Sequence, residues 1–445
     1  MALKRKTAAT CVALYAVTLV FTIVEATSLA EINIANVRTG DQQDAEVVGL
    51  PNGNFAIVWE SEIDDFDEDI YLAIFQEDGT KIVDDIVVNT DTAGLQLDPA
   101  LAVSKDETIL VVYESFNGTF AIKSQLFDLN GNKIGNETLI EDSNSTVDKP
   151  HVAALENGNF VVAYRDDEDI TARLLDGLGE LISDQKILVN TFTDDEQDEP
   201  FVLSLENGGF AVFYDSFIGA FFFDIVGQLF NANGDKVGTE FIVNDNRAFG
   251  QLAAHAARTS NGFVVTWESD HTGDFNVFMQ LFDQDANKVG EEVQVNTFDS
   301  GDQDDPYIAQ TKDGFVIAWE TDEPFERVVR LQRYNNAGQK IEGEVEASSF
   351  TTFPCSDVGI GVIENGNIVV VFEEVSFLSN VIGTIIPLRN DGGGDDGSRA
   401  GLIVGILAAV VGISAVAAVF VYKRNSGLPE QPIPNSRVNT FSDQA

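Results

Sequence analysis

The feature that most constrains this chain is a unit of about 50 residues written seven times. It is clearest at 296–347, NTFDSGDQDDPYIAQTKDGFVIAWETDEPFERVVRLQRYNNAGQKIEGEVEA. One aromatic ends an apolar run in each copy: Trp59, Tyr113, Tyr164, Tyr214, Trp267, Trp319 and Phe372. The longest step is 54 residues (59 to 113) and the shortest 50 (164 to 214). An acid follows in six copies, as Glu60, Glu114, Asp215, Glu268, Glu320 and Glu373, while Arg165 stands in the third. A repeat of this size is one supersecondary unit that buries its apolar faces only against its neighbours.

Each copy predicts four short strands. In the sixth they are 306–310, 315–320, 327–334 and 340–347, with turns at Thr311-Lys312-Asp313-Gly314 and Asn335-Asn336-Ala337-Gly338. The runs are too short and too β-branched for helices. The second strand is apolar on both faces, so each sheet is covered on both sides. The ends of the chain separate a linear stack from a ring. The seventh copy has three strands, at 358–363, 368–372 and 381–388, and then enters a glycine-rich stretch. Residues 31–37 repeat the pattern of 292–298, the fourth strand of another copy. The expectation is an all-β seven-bladed β-propeller at 27–390, closed by the N-terminal strand, which removes two open β edges.

The motif N-T…Q-x-D/E-P-x-V…G-G/N-F-V-V-x-W-x-S…Q-L-F-D-x-x-G-x-K-V-G-x-E-x-x-V-N-T resembles a repeat of large surface proteins of bacteria and some protists. The resemblance covers 31–390 and implies a propeller-like fold with surface display or adhesion. It transfers no catalytic residue. The third copy departs from it with Val147-Asp-Lys-Pro150, the fifth with Ala254 in place of proline, and the seventh with Cys355-Ser-Asp-Val358.

Beyond the repeats, 1–26 reads as a secretory signal peptide, with Lys4, Arg5 and Lys6 before an uncharged run at 7–24. Residues 391–399 read as a Gly/Asp linker, 400–422 as a transmembrane helix, and 423–445, opening on Lys423 and Arg424, as a cytoplasmic tail. This places the N-terminus outside the cell, in a single-pass type I arrangement at the plasma membrane or cell surface. Gly401 with Gly405, and Ala408 with Gly412, give the spacing of a weak transmembrane-helix dimer. Asn117, Asn136 and Asn144 open glycosylation sequons. Of two cysteines, Cys11 lies in the signal segment and Cys355 reads as a buried hydrophobe, which excludes a disulfide scaffold.

The formal net charge of −47 argues against nucleic acid, whose phosphates demand lysine and arginine. It suits cations. Acidic loops holding Asp64, Asp65, Asp67 and Asp69, Asp194 and Asp198, and Asp302 and Asp304 are candidate Ca²⁺ ligands, although none has EF-hand spacing. Gln43, Gln96, Gln197, Gln251 and Gln303 open first strands, which line a propeller's channel, and Asp98, Glu199, Asp305 and Asp357 nearby gather carboxylates at one mouth. There is no G-x-S-x-G, phosphate loop or metal-type histidine pair. The chain reads as no enzyme, with no cofactor besides Ca²⁺. Its expected role is binding or adhesion to an extracellular protein or glycan. The alternatives are a structural surface-coat glycoprotein and a carboxylate-based glycosidase.

Overall fold

The repeat period becomes a four-stranded antiparallel sheet, and there are seven of them. The computed structural model describes residues 31–387, apart from 36–39, 65–66, 218–221, 299, 324–325, 349–350, 352 and 377–378. Blade six runs Gln303–Thr311, Gly314–Glu323, Glu326–Asn335 and Lys340–Glu346, each strand paired with the next. Blade seven is Cys355–Val362, Ile368–Glu374 and Asn380–Ile386, and its fourth strand is Glu31–Asn33, paired Ile32 to Gly383. The chain therefore forms a seven-bladed β-propeller whose last blade uses both ends of the domain. Among the described residues no helix is long and apolar enough to cross a membrane. The segments at 1–26, 391–399, 400–422 and 423–445 lie outside the described residues.

Seven apolar clusters hold the ring, one at each junction between blades. That between blades six and seven joins Val316, Ala318 and Leu331 to Val370, Phe372 and Cys355. The closing junction joins Val369 and Val371 to Trp59, Phe55 and Phe75, with Ile32 and Ile34 of the N-terminal strand added. Each second strand supplies alternate side chains to two clusters. Val316 and Ala318 face one way while Phe315, Ile317 and Trp319 face the other. That is why these strands read as continuous apolar runs.

The N-T at the end of the repeat has a bonding role. Asn89, Asn190, Asn244 and Asn296 are buried and accept from the backbone N–H of Ile70, Ile170, Ile225 and Val277. Their amides donate to Asp69, Asp169, Asp224 and Asn276, fixing the outer strand against the third.

Every innermost strand carries a β-bulge near its start, as between Asp304 and Tyr307. The bulge residues Asp44, Asp98, Lys149, Glu199, Ala253, Asp305 and Asp357 all have φ between 46° and 54°. A left-handed residue with a side chain is costly, so something must hold it. The acid that follows the anchor aromatic of the preceding blade does so: Glu60 accepts from the N–H of Asp98, Asp215 from Ala253 and Glu268 from Asp305. The proline after four of these residues fits because a bulge, unlike a regular ladder, leaves an N–H unused.

Candidate functional site at the channel mouth

The bulges turn one side chain per blade toward the mouth of the central channel. Asp44, Asp98, Lys149, Glu199, Asp305 and Asp357 line a cavity of about 250 Å³ there. Sequence reasoning placed Asp98, Glu199, Asp305 and Asp357 together correctly. It missed Asp44 and Lys149, although both stand at the same repeat position. One register assignment is corrected. Gln42, not Gln43, matches Gln96, Gln197, Gln251 and Gln303, since each pairs across the sheet with Ser61, Ser115, Ser216, Ser269 or Thr321. These glutamines are buried and turn away from the channel. Where the anchor is tryptophan, the indole N–H donates to the glutamine: Trp59 to Gln42, Trp267 to Gln251 and Trp319 to Gln303. Where it is tyrosine, the hydroxyl reaches outward instead, to Glu137, Glu141 or Glu240.

Below the rim the floor is aromatic. His151, Phe201, His255 and Tyr307 stand two residues after their bulges, with ring centroids 4.1, 4.8 and 3.9 Å apart in turn. His151 Nδ1 accepts from the N–H of Val202, and burial pushes its pKa down to about 3. Burial likewise lowers His255 to about 4. Both rings are neutral and packed, which fits a structural role. Glu46 lies on the same level, accepts from the N–H of Leu101, and is pushed up to about 8 by burial.

The rim acids pair with the acids behind them. Asp44 shares a hydrogen bond with Glu60, Asp98 with Glu114, and Asp357 with Glu373. Two carboxyls this close cannot both ionise cheaply. Burial first, then the neighbouring charge, raises Asp44 to about 7 and Glu60 to about 11. The same causes raise Glu114 to about 8, and burial is the leading cause of a rise to about 8 at Glu373. Blade three inverts this pattern with two bases. Lys149 bridges Asp198 at 3.3 Å and Glu199 at 2.9 Å, and Arg165 grips Asp148 through Nε at 2.7 Å and Nη2 at 2.5 Å.

The acidic loops do not act as three separate ion cages. Asp65, and the side chain of Asp64, lie outside the described residues. Asp67 accepts from the N–H of Gly94 and Asp69 from Asn89. Asp194 is exposed, Asp198 is held by Lys149 and Arg165, and Asp302 accepts from the N–H of Phe275. Asp304 alone of these joins a convergent group, with Asp305 and Glu320. Glu320 was not among the candidates because it lies on another strand. Asn117, Asn136 and Asn144 are all exposed.

No protein-family model matches the chain, and no curated protein sequence does. Many solved structures share the fold. A fungal alcohol oxidase of the AA5 family, in complex with copper, is 10% identical, with 80% of this chain and 76% of that one covered at a TM-score of 0.50. An α-L-arabinanase of Penicillium chrysogenum complexed with arabinobiose is 17% identical over 66% and 93%, TM-score 0.46. A GH93 α-L-arabinofuranosidase of Fusarium graminearum is 14% identical over 80% and 97%, TM-score 0.47. At such identities the likeness is one of fold. The reading of the chain as no enzyme is nevertheless corrected: the fold is shared with an oxidase, so lack of a sequence motif does not exclude catalysis here.

Proposed function

We propose that this chain is a cell-surface binding protein whose propeller takes a ligand at the acidic mouth, the ligand presenting a cationic group. One observation carries the reading. Asp305, Asp357, Asp44 and Asp98 come from four consecutive blades and form an arc on the cavity wall. Lys149, the lysine on that wall, is already bound to Asp198 and Glu199. A ligand amine or guanidinium would meet uncompensated carboxyls over an aromatic floor, an arrangement favourable both to charge pairing and to cation–π contact. The described acids around residues 60–69, 194–198 and 302–305 lie at strand ends next to the connections that join second to third strands, or one blade to the next. In an antiparallel blade both kinds emerge on the face that holds this mouth. The signal-like and membrane-spanning patterns of the sequence supply the surface location.

The test is binding of the full chain to cell surfaces, glycan arrays and cationic peptides, beside the double variant Asp44→Asn, Asp357→Asn. We expect binding to fall at least about tenfold, the loss of one or more charge-assisted contacts. Equal binding by the variant sinks the reading.

A second reading has its own observation. Asp44 with Glu60, and Asp357 with Glu373, each couple a carboxyl at the cavity to one that burial keeps protonated. A glycosidase uses an acid and a carboxylate about 5 to 9.5 Å apart, wider than a hydrogen-bonded pair, so the two would have to come from different blades of the rim. Turnover of aryl glycosides that disappears in Asp44→Asn would establish it; absence of turnover on a broad panel would remove it.

A further inference from the structure

The blades are internal copies, so each serves as a control for the others. Three positions matter: the residue before the bulge, the bulge residue, and the acid after the anchor aromatic. Blade three has Asp148, Lys149 and Arg165 there, and blade five has Leu252, Ala253 and Glu268. Only blades four and six place acids at all three, as Asp198, Glu199 and Asp215, and as Asp304, Asp305 and Glu320. Blade four is neutralised from next door by Lys149 and Arg165, and Asp215 accepts from the N–H of Ala253. Blade six receives one cation, Arg327.

That cation pairs with two of the three acids and leaves Glu320 Oε1 and Asp304 Oδ1 without a partner. Carboxylate oxygens of Asp304, Asp305 and Glu320 lie within 4.8 Å of one another. Arg327 Nη2 donates to Asp304 at 2.7 Å. Its Nε forms an ion pair with Glu320 Oε2 at 2.8 Å, without hydrogen-bond geometry, and leaves Glu320 Oε1 without a partner. Glu320 is fully buried, and neither of its oxygens accepts a hydrogen bond; Asp304 Oδ1 is likewise unbonded. When all three are ionised, as ligands to a metal would be, three carboxylates against one guanidinium leave two negative charges beside buried oxygens that accept no hydrogen bond. A divalent ion would bring the sum to zero and bond those oxygens.

We infer that Asp304, Asp305 and Glu320 form a divalent-cation site in blade six, with Ca²⁺ as the ion its chemistry fits. Three carboxylates, each able to bind through one or two oxygens, suit the flexible coordination of Ca²⁺ better than the strict octahedron of Mg²⁺. Arg327 fixes Asp304 from the far side. Asp305 also lines the cavity, so open coordination positions face the mouth and would be filled by water. The site stands on its own geometry and does not depend on what larger ligand the mouth takes.

Calorimetric titration of CaCl₂ into the full chain, stripped with chelator, tests this without any larger ligand. We expect a saturable site that weakens at least about tenfold in Asp305→Asn and in Glu320→Gln, and persists in the exposed control Asp194→Asn. Asp304→Asn provides the same reading should the buried Glu320→Gln fold poorly. TbCl₃ emission, excited through indole, should fall in Trp319→Phe because the anchor is the residue before Glu320. Absence of Ca²⁺ uptake, or uptake unchanged in both Asp304→Asn and Asp305→Asn, overturns the assignment.

Discussion

Blades three and six share one strand frame and an aspartate before the bulge, Asp148 or Asp304, and hold opposite charge at the other two positions. Blade three answers its acids with Lys149 and Arg165, so its rim is finished within the protein. Blade six keeps Asp304, Asp305 and Glu320 and has only Arg327 beside them. The repeat therefore separates two things that usually vary together. The frame (bulge, anchor aromatic, apolar junction) is common to the blades, and the chemistry at the mouth is set by which residues occupy it.

The comparison breaks most readily at Arg165. Replacing it with leucine leaves Asp148 unpaired and Asp198 with Lys149 alone. We expect a loss of about 3 kcal/mol, the scale of breaking a largely buried pair, in urea unfolding. A cost below about 1 kcal/mol, typical of an exposed pair, would mean that blade three is no better balanced than blade six. Glu320→Gln should act in the other direction. Burial, then Asp305, pushes Glu320 up to about 9, so in calcium-free buffer at pH 8 its removal should stabilise the chain by on the order of 2 kcal/mol. Destabilisation there would show the charge to be balanced already.

A smaller effect is the pH dependence that rim acids impart. Asp44 is raised to about 7, and Glu114 and Glu373 to about 8. A carboxyl whose folded pKa lies above its unfolded value contributes stability that is complete below the unfolded value and is lost as pH rises to the folded one. His151 and His255, lowered to about 3 and about 4, work oppositely, but only below the ordinary histidine value of roughly 6.5. Stability of the calcium-free chain should thus fall by about 1 to 3 kcal/mol from pH 6.5 to 8. Thermal unfolding at those two pH values checks it; a rise would contradict the raised pKa values. The smallest change expected is at Lys186 of blade three, a half-exposed partner of Asp166 and of Glu141 from blade two. Lys186→Ala should cost less than about 0.5 kcal/mol in the same urea assay.

Blade number and closure were legible because they depend on periodicity, which survives substitution. The mouth was legible only in part. Asp98, Glu199 and Asp305 could be aligned by the Gln-x-acid-Pro pattern, and Asp357 by its place in the seventh copy, yet nothing in residue type announces a bulge. The extra residue reverses which side chains face the channel, and Gln42 and Gln43 differ by that one step. The convergence of Asp305 with Glu320 was hidden for another reason. They lie on separate strands and meet through the pairing of Asp304 with Glu320. Asp67 and Asp69, which begin a third strand, looked like loop ligands because composition cannot distinguish a free carboxylate from one spent on a backbone N–H or an asparagine.

The closing strand also has a consequence in time. Asn33 pairs with Ile382, some 350 residues later. During synthesis Ile32 and Ile34 emerge first and find their partners last, after on the order of half a minute at ordinary elongation rates. Until then the chain carries two open strand edges, one at each end of an unfinished ring. The very contact that seals the finished molecule is the one that leaves its nascent form exposed longest.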